Sequence, residues 1–119
     1  MRLAFDPDAA ARRIVGRFRL GAEYQGGPGF IHGGIIATLL DEAMGKVCRF
    51  SGVRAVTAEL NVEYLKPVRV DEEIRVEGFE SRREGRELFH QGEIRNASGE
   101  LLARGRGRFV VVDPAKFRA

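Results

Sequence analysis

A single long helical segment constrains this chain more than any other feature. Residues 34–50, "GIIATLLDEAMGKVCRF", gather their apolar side chains on one stripe of a 100° helical wheel. The stripe consists of Ile36, Leu39, Leu40, Ala43, Met44 and Val47. A neighbouring flank carries Glu42, Lys46 and Arg49, which predicts a solvated surface with a weak Glu42–Lys46 ion pair. The segment is therefore predicted to be an amphipathic helix that packs on a sheet.

Asp41 lies roughly opposite the apolar stripe. Its neighbours on the wheel are all small, namely Ala37, Thr38, Gly45 and Cys48. A solvated helix face normally carries long charged side chains, so the small residues indicate the close approach of a ligand or of a second helix. Asp is also a poor residue for the middle of a helix. We therefore interpret Asp41 as functional, with an ordinary surface aspartate as the alternative, and Glu42 as structural.

The rest of the chain predicts an antiparallel sheet. Residues 55–67 alternate strictly, which should bury Val56, Leu60 and Tyr64 on one face and place Thr57 on the other. The other predicted strands are residues 17–25, 73–83, 86–96 and 101–113. Residues 1–16 are predicted to be a short helix or an arm. Consecutive hairpins in this order predict an α+β fold in which the sheet covers one helix.

Four glycines fall inside the predicted strands, at Gly78, Gly92, Gly105 and Gly107. Glycine weakens a strand and often marks a bend or the close approach of another backbone. The glycines are therefore expected either to let the sheet curl tightly around the helix or to form bulges at the sheet edges.

The composition fits one soluble domain. The 119 residues are 44% hydrophobic and 31% charged, with a formal net charge of +3. No apolar run approaches the length of a membrane span, and residues 1–18 lack the apolar core of a signal peptide. The single cysteine excludes an internal disulfide, and a cytoplasmic location is expected. Because Asp and Glu are interspersed with the basic residues, an ordinary solvated surface is the preferred interpretation of this charge. The alternatives are a phosphate-bearing small molecule and, much less, nucleic acid.

The start of the helix predicts an anion site. Gly33 and Gly34 should leave their backbone N–H groups bare at the positive end of the helix dipole, although a tight turn would also explain them. Asp41 lies about 12 Å further along the helix, too far for one carbonyl group to contact both. A second, antiparallel helix would bring its own Asp41 to this Gly33. The sequence therefore predicts a two-fold dimer with two shared sites.

The segments around the helix and the following strand resemble those of a known protein family. The segment "GGPGFIHGGIIATLLDEAMG", followed by "TAELNVEYLKP", is similar to PaaI-like hotdog-fold acyl-CoA thioesterases over about residues 17–112. The residues that carry the resemblance are His32, Gly33, Asp41, Thr57, Tyr64 and Pro67. The resemblance implies a single domain over residues 1–119, with a five-stranded antiparallel sheet wrapped around one long helix. It also implies a homodimer or a dimer of dimers.

The resemblance further implies hydrolysis of acyl-CoA without a metal or a cofactor. It makes Asp41 the catalytic carboxylate and Gly33 the amide that holds the thioester oxygen. His32 stands beside that amide, and Thr57 supports the carboxylate or the water. The candidate substrate-binding residues are Gly26, Gly34, Arg82, Arg83, Arg86 and Arg104, of which the arginines would contact the CoA phosphates.

Gly26 departs from the family pattern, because many members carry Asn or Gln there, and Gln25 is shifted by one position. A hotdog dehydratase or hydratase and a non-catalytic acyl-CoA binder are the alternative functions. Nucleic-acid binding through residues 103–108 ranks last, since the tract alternates as a strand without an aromatic platform. His90 is interpreted as packing or pocket lining. Cys48, without an evident histidine partner, is interpreted as a small apolar core residue.

Overall fold

The computed structural model describes residues 4–8 and 12–112, which form one antiparallel sheet and one long helix. The strands are β1 (Asp6–Asp8), β2 (Arg13–Arg19), β3 (Ala55–Tyr64), β4 (Glu73–Glu84), β5 (Glu87–Asn96) and β6 (Leu101–Val111). The helix α1 spans Gly33–Phe50, and a 3₁₀ turn occupies Ala22–Tyr24. The strand order is β1-β2-β4-β5-β6-β3. The predicted fold is confirmed, with β1 as a short edge strand in addition to the five predicted strands.

The helix packs on one face of the sheet, called the inner face below. Its buried side chains are Ile36, Leu39, Leu40, Ala43, Met44, Val47 and Cys48. The whole predicted apolar stripe is therefore buried, and Cys48 joins it. Against these residues the sheet packs Ile74, Val76, Leu88, Ile94 and Phe109. The helix ends at Phe50, since Gly52 adopts a φ of +73°, a left-handed conformation that glycine takes without strain.

Of the two alternatives predicted for the N-terminal region, the short helix is wrong. The described part of residues 1–16 contains β1 and the beginning of β2, not a helix, while residues 1–3 and 9–11 lie outside the described residues. The first long strand is Arg13–Arg19 and not residues 17–25. Ile14 and Gly16 are both buried, so the alternation of buried and more exposed residues in this strand begins before Arg17.

Three glycines let the helix approach the sheet closely. Gly78, Gly92 and Gly105 are direct neighbours across β4, β5 and β6. A Cβ atom at Gly78 would lie 2.7 Å from the carbonyl oxygen of Ala43. At Gly92 and Gly105 it would meet helix side chains at 3.0 and 3.3 Å. The register shifts of the sheet fall at other positions, so close approach explains these glycines and edge bulges do not.

A bulge in β3 breaks the strict alternation that the sequence predicts. The register shifts between Thr57 and Glu59, which inserts one extra residue. Thr57 pairs with Phe109, which is buried on the inner face, and Leu60 pairs with Gly107 on that same face. Paired residues of antiparallel strands share a face. The prediction that Thr57 and Leu60 point in opposite directions is therefore wrong.

The apolar side chains of β3 are not buried within one chain. Val56, Leu60 and Tyr64 are 47%, 38% and 56% exposed, so their predicted burial is wrong for the isolated chain. β3 also forms one edge of the sheet, because β6 is its only neighbour. A long edge strand with exposed apolar side chains is typical of a surface that another chain covers.

Gly78→Ala is expected to lower the free energy of unfolding by about 1–3 kcal/mol, since the added methyl group overlaps the helix backbone and not a flexible side chain. Urea denaturation measures this change. Gly27→Ala is the matched control, because a Cβ there meets nothing within 4 Å, and its effect should stay within about 0.5 kcal/mol. Equal stability of the two variants would contradict the role given to the glycine row.

Candidate active site

The N-terminus of α1 presents one unused backbone N–H group. His32 caps the helix, because its Nδ1 accepts a hydrogen bond of 2.9 Å from the N–H of Gly34. The carbonyl oxygen of His32 accepts from the N–H groups of Ile35 and Ile36. The expectation of two bare N–H groups is therefore wrong for Gly34. The N–H of Gly33 has no acceptor among the described residues, and it lies at the positive end of the helix dipole.

Tyr64 holds the peptide unit that follows this N–H group. The Tyr64 hydroxyl donates a hydrogen bond of 2.8 Å to the carbonyl oxygen of Gly33. The N–H of the same peptide unit belongs to Gly34 and donates to His32. Both ends of the unit are therefore fixed, which limits rotation of the backbone around Gly33. The sequence pattern included Tyr64 but gave it no role, since only the fold brings β3 to the start of α1.

An apolar cavity lies beside Gly33. Its volume is about 270 Å³. Apolar side chains form most of its wall, including Phe30, Ile36, Leu65, Pro67 and Val68. A group whose oxygen accepts from the Gly33 N–H therefore has room for an apolar substituent next to it.

Asp41 lies further along α1 and is half-buried on the small-residue face. Its Oδ1 accepts a hydrogen bond of 3.0 Å from the Thr57 hydroxyl. The bulge in β3 makes this bond possible, because it turns Thr57 to the inner face, toward the helix. Within the described part of the chain, Oδ2 of Asp41 has no hydrogen-bond donor. Asp41 therefore offers one supported and one available carboxylate oxygen.

Asp41 and Gly33 open into different cavities of the same chain. A cavity of about 730 Å³ is lined by Asp41 and Thr57 but not by Gly33. The apolar cavity is lined by Gly33 but not by Asp41. The helical rise between the two residues is about 12 Å. One chain therefore holds the two parts of the predicted site but does not bring them together.

Comparison with known proteins identifies the family of this fold and site. The family model of the thioesterase superfamily matches residues 28–103, which include His32, Gly33, Asp41 and Thr57. The chain belongs to the thioesterase superfamily. It is 38% identical over 108 residues to acyl-coenzyme A thioesterase THEM4 of Rattus norvegicus, a match that covers 90% of this chain and 46% of THEM4. The chain thus spans about half the length of this relative.

Solved structures share the fold of this superfamily member. A thioesterase superfamily protein superposes with a TM-score of 0.87 and 30% sequence identity, over 91% of this chain and 55% of the other. The protein smu.793 of Streptococcus mutans, solved with acetyl-CoA bound, superposes with a TM-score of 0.86 and 19% identity. That match covers 94% of this chain and 90% of smu.793. The resemblance seen in the sequence is therefore confirmed for both family and fold.

The larger cavity carries charges that were predicted from the sequence to lie on a solvated flank, together with Arg54. It is lined by Glu42, Lys46, Arg49 and Arg54 in addition to Asp41. The predicted ion pair between Glu42 and Lys46 is absent from the ion pairs of the described residues, so that prediction is wrong. Lys46 therefore remains without a carboxylate partner and faces the cavity.

The four arginines predicted to bind substrate lie elsewhere. None of them lines the cavity at Asp41 or the cavity at Gly33. Each already has a partner: the pairs are Arg82 with Glu84, Arg83 with Glu80, Arg104 with Glu63, and Arg86 with the carbonyl oxygen of Val111. Arg82 and Arg83 pair with acids two and three residues away in β4. Sequence alone could not reveal the partners of Arg104 and Arg86, because those depend on the register of the sheet.

The loop before the helix uses its polar groups internally. The N–H of Gly26 donates to the carbonyl oxygen of Phe30 at 2.9 Å. Oε1 of Gln25 accepts from the N–H of Gly29 at 3.1 Å. Gln25 is thus engaged within the loop and does not take the place of the amide that many family members carry at position 26.

Cys48 and His90 are in contact inside the core. The Cys48 Sγ lies 3.8 Å from Nδ1 of His90, so the prediction that Cys48 lacks a histidine partner is wrong. The same nitrogen lies 3.0 Å from the carbonyl oxygen of Met44. Because a carbonyl only accepts, Nδ1 must carry the proton and cannot receive one from the thiol. Burial raises the pKa of Cys48 to about 11 and lowers the pKa of His90, so both are neutral core residues.

The arginine-rich tract at 103–108 lies in β6. On the sheet face away from α1 its arginines pair with acids of neighbouring strands, as Arg104 with Glu63 and Arg108 with Glu59 and Glu87. These pairs leave little free positive charge for nucleic acid. In the described ranges no three His, Cys, Asp or Glu side chains converge as metal ligands. No helix there has the length and apolar character to span a bilayer.

Proposed function

We propose that this protein is an acyl-CoA thioesterase, which hydrolyses an acyl-CoA thioester to a carboxylic acid and free CoA. The main support is the pair of complementary groups on α1. The Asp41 carboxylate is supported by Thr57 and keeps one free oxygen, and the Gly33 N–H has no acceptor in the described residues. A base or nucleophile and an oxyanion donor are the two groups that acyl transfer requires. The name of the THEM4 relative is consistent with this function.

The proposed enzyme is a two-fold homodimer in which each site combines Gly33 of one chain with Asp41 of the other. Within one chain these residues line separate cavities. The face of α1 around Asp41 carries small residues, including Ala37 and Gly45, and so permits the approach of a second helix. An antiparallel partner helix would place each Asp41 against the opposite Gly33. The exposed edge of β3 would be covered by the same contact.

In the proposed reaction the thioester oxygen accepts a hydrogen bond from the Gly33 N–H, and the acyl group enters the apolar cavity. Asp41 of the other chain either removes a proton from water, whose oxygen attacks the carbonyl carbon, or attacks that carbon itself. In both routes the C–S bond breaks and the sulfur leaves as the CoA thiolate, which then takes a proton. In the second route, water hydrolyses the acyl-aspartyl anhydride. Thr57 orients the carboxylate in both.

Asp41→Asn is expected to reduce thioester hydrolysis by about 10²–10⁴-fold if Asp41 acts as a general base, and further if it is the nucleophile. Asn retains the size of the side chain and can still accept from Thr57. Free-thiol release measures turnover, and binding of a non-hydrolysable acyl-CoA analogue should persist. Glu42→Gln is the matched control, since Glu42 lines the same cavity without a partner. An active Asp41→Asn enzyme would contradict the proposal.

Thr57→Ala is expected to lower kcat by about 2- to 10-fold, the effect of losing one hydrogen bond of 0.5–1.5 kcal/mol, with little change in KM. Thr57→Ser keeps the hydroxyl group and should restore most of the turnover. Steady-state kinetics of the two variants and of the wild type measure these changes in kcat and KM. A kcat that is equal in the wild type and in Thr57→Ala would remove Thr57 from the mechanism.

Gly33→Pro removes the N–H group with little disturbance of the helix. Proline is favoured at the first helical position, and His32, with φ −60° and ψ 137°, already has the extended conformation that precedes proline. We expect hydrolysis to fall by about 10²–10³-fold, as for loss of one oxyanion donor. Gly33→Ala keeps the N–H, and its Cβ would lie at an ordinary 3.5 Å from Tyr64, so it should remain active. Similar activity of Gly33→Ala and Gly33→Pro would exclude an oxyanion role.

The same variants test whether the site is shared. Equal amounts of Asp41→Asn and Gly33→Pro, unfolded and refolded together, should regain about a quarter of wild-type activity, because half of the dimers are mixed and each mixed dimer has one intact site. A site within one chain would give no recovery. Sedimentation of the wild type should show a dimer or a larger assembly, and an active monomer would contradict the shared site.

A further inference from the structure

The cavity that contains Asp41 carries a cluster of cations without partners. Lys46 and Arg49 extend from the flank of α1, and Arg54 lies in the loop just before β3. In the described part of the chain none of the three has a hydrogen-bond, ion-pair or aromatic partner for its side chain. These three residues are called the cationic cluster below.

The cluster is unusual when compared with the other cations of the protein. Most described arginines are held by acids of the sheet, by carbonyl oxygens or by aromatic rings, as Arg13 by Glu77 and Arg69 by Phe30. Besides the cluster, only Arg12 and Arg17 have no such partner among the described residues. Three of these five unpaired cations therefore line one cavity. Ordinary solvation does not explain this concentration, because most arginines on the other surfaces of the sheet have partners, with Arg17 as an exception.

The charge balance of the cavity points to an anion. Its two carboxylates are Asp41 and Glu42, and its cations are the three members of the cluster. Three positive charges against two negative charges leave an excess of one positive charge. Asp41 lies near Thr57, at the end of the cavity closer to the start of α1, while Arg49 lies about 12 Å further along the helix. The positive charge is thus displaced from the carboxylate.

That displacement fits a ligand with a reactive centre at one end and phosphates at the other. In CoA thioesters the pantetheine arm separates the thioester carbon from the diphosphate and the 3′-phosphate. Such a ligand, with its thioester at Asp41, would extend its phosphates away from the start of the helix. Arginine is well suited to phosphate because its planar guanidinium group donates two parallel hydrogen bonds.

We propose that Lys46, Arg49 and Arg54 form the phosphate-binding part of the substrate site and select thioesters that carry the CoA nucleotide. This inference rests on the proposed function and deepens it. It replaces Arg82, Arg83, Arg86 and Arg104, which lie outside both cavities. In the shared site, the chain that provides Asp41 also provides the cluster, and its partner provides the oxyanion N–H and the acyl cavity.

The test compares three substrates with the same acyl group: the thioesters of CoA, of dephospho-CoA and of pantetheine, which lacks all phosphates. The variants are Arg49→Gln and Arg54→Gln, singly and together, since Gln is neutral and a good helix former. Arg17→Gln is the matched control, an equally unpaired cation outside the cavity. Arg104→Gln tests the arginine predicted from the sequence.

We expect kcat/KM for acyl-CoA to fall about 10-fold for each arginine, mainly through KM, as for a charge-assisted hydrogen bond that solvent partly screens. The value for acyl-pantetheine should change less than about 2-fold. The double variant should therefore lose most of the preference for acyl-CoA over acyl-pantetheine. Arg17→Gln and Arg104→Gln should retain that preference.

Three results would overturn the proposal. They are an unchanged preference in the double variant, an equal loss in Arg17→Gln, or a loss in Arg104→Gln alone. The proposed hydrolysis fails separately, if the wild type cleaves none of the three thioesters. In that case calorimetric titration with free CoA and with pantetheine still tests whether the cationic cluster binds phosphates. Only the binding of CoA should weaken in the double variant.

Discussion

The close contact between the backbone of α1 and the glycine row of the sheet is the constraint on which the rest of the structure depends. Gly78 leaves no room for a side chain below Ala43, so the helix lies almost directly on the strands. This position fixes the rotation of α1, because the apolar stripe must face the sheet. Once that rotation is fixed, Asp41 must point toward β3, where Thr57 meets it. The hydrogen bond of the site is thus a consequence of core packing.

The same helix then separates the two chemical groups of the site. Its N-terminus offers the Gly33 N–H, with His32 and Tyr64 holding the next peptide unit. Its middle offers the carboxylate of Asp41, about 12 Å away. A rigid helix cannot fold back on itself, so only a second chain can bring such groups together. The proposed dimer would therefore complete both sites and cover the free sheet edge.

The sequence predicted the structure correctly where the periodicity of apolar residues alone determines which side chains are buried. The 3.6-residue repeat correctly separated the buried stripe of α1 from Asp41, and the two predicted hairpin turns correctly joined β4 to β5 and β5 to β6. The pairing of β3 with β6 at the far edge was not predicted. The prediction from sequence was wrong where a local feature of the backbone interrupts that periodicity. The bulge turns Thr57 inward, and the His32 ring caps Gly34, so neither side chain follows the simple pattern. The partner of Arg104, Glu63 on the neighbouring strand, depends on strand register, which no single segment encodes.

The isolated chain has three features that are energetically unfavourable, and these features lie next to one another. Unpaired strand edges attract other chains, exposed apolar side chains such as Leu60 remain in contact with water, and the cations of the larger cavity repel one another without partners. A two-fold contact through α1 and β3 would cover the edge and the apolar side chains, and a phosphate ligand would satisfy the cations. Elsewhere in the sheet most arginines have partners, as Arg13 has Glu77. We therefore propose that binding compensates the unpaired charges around Asp41 and that assembly covers the free edge beside them.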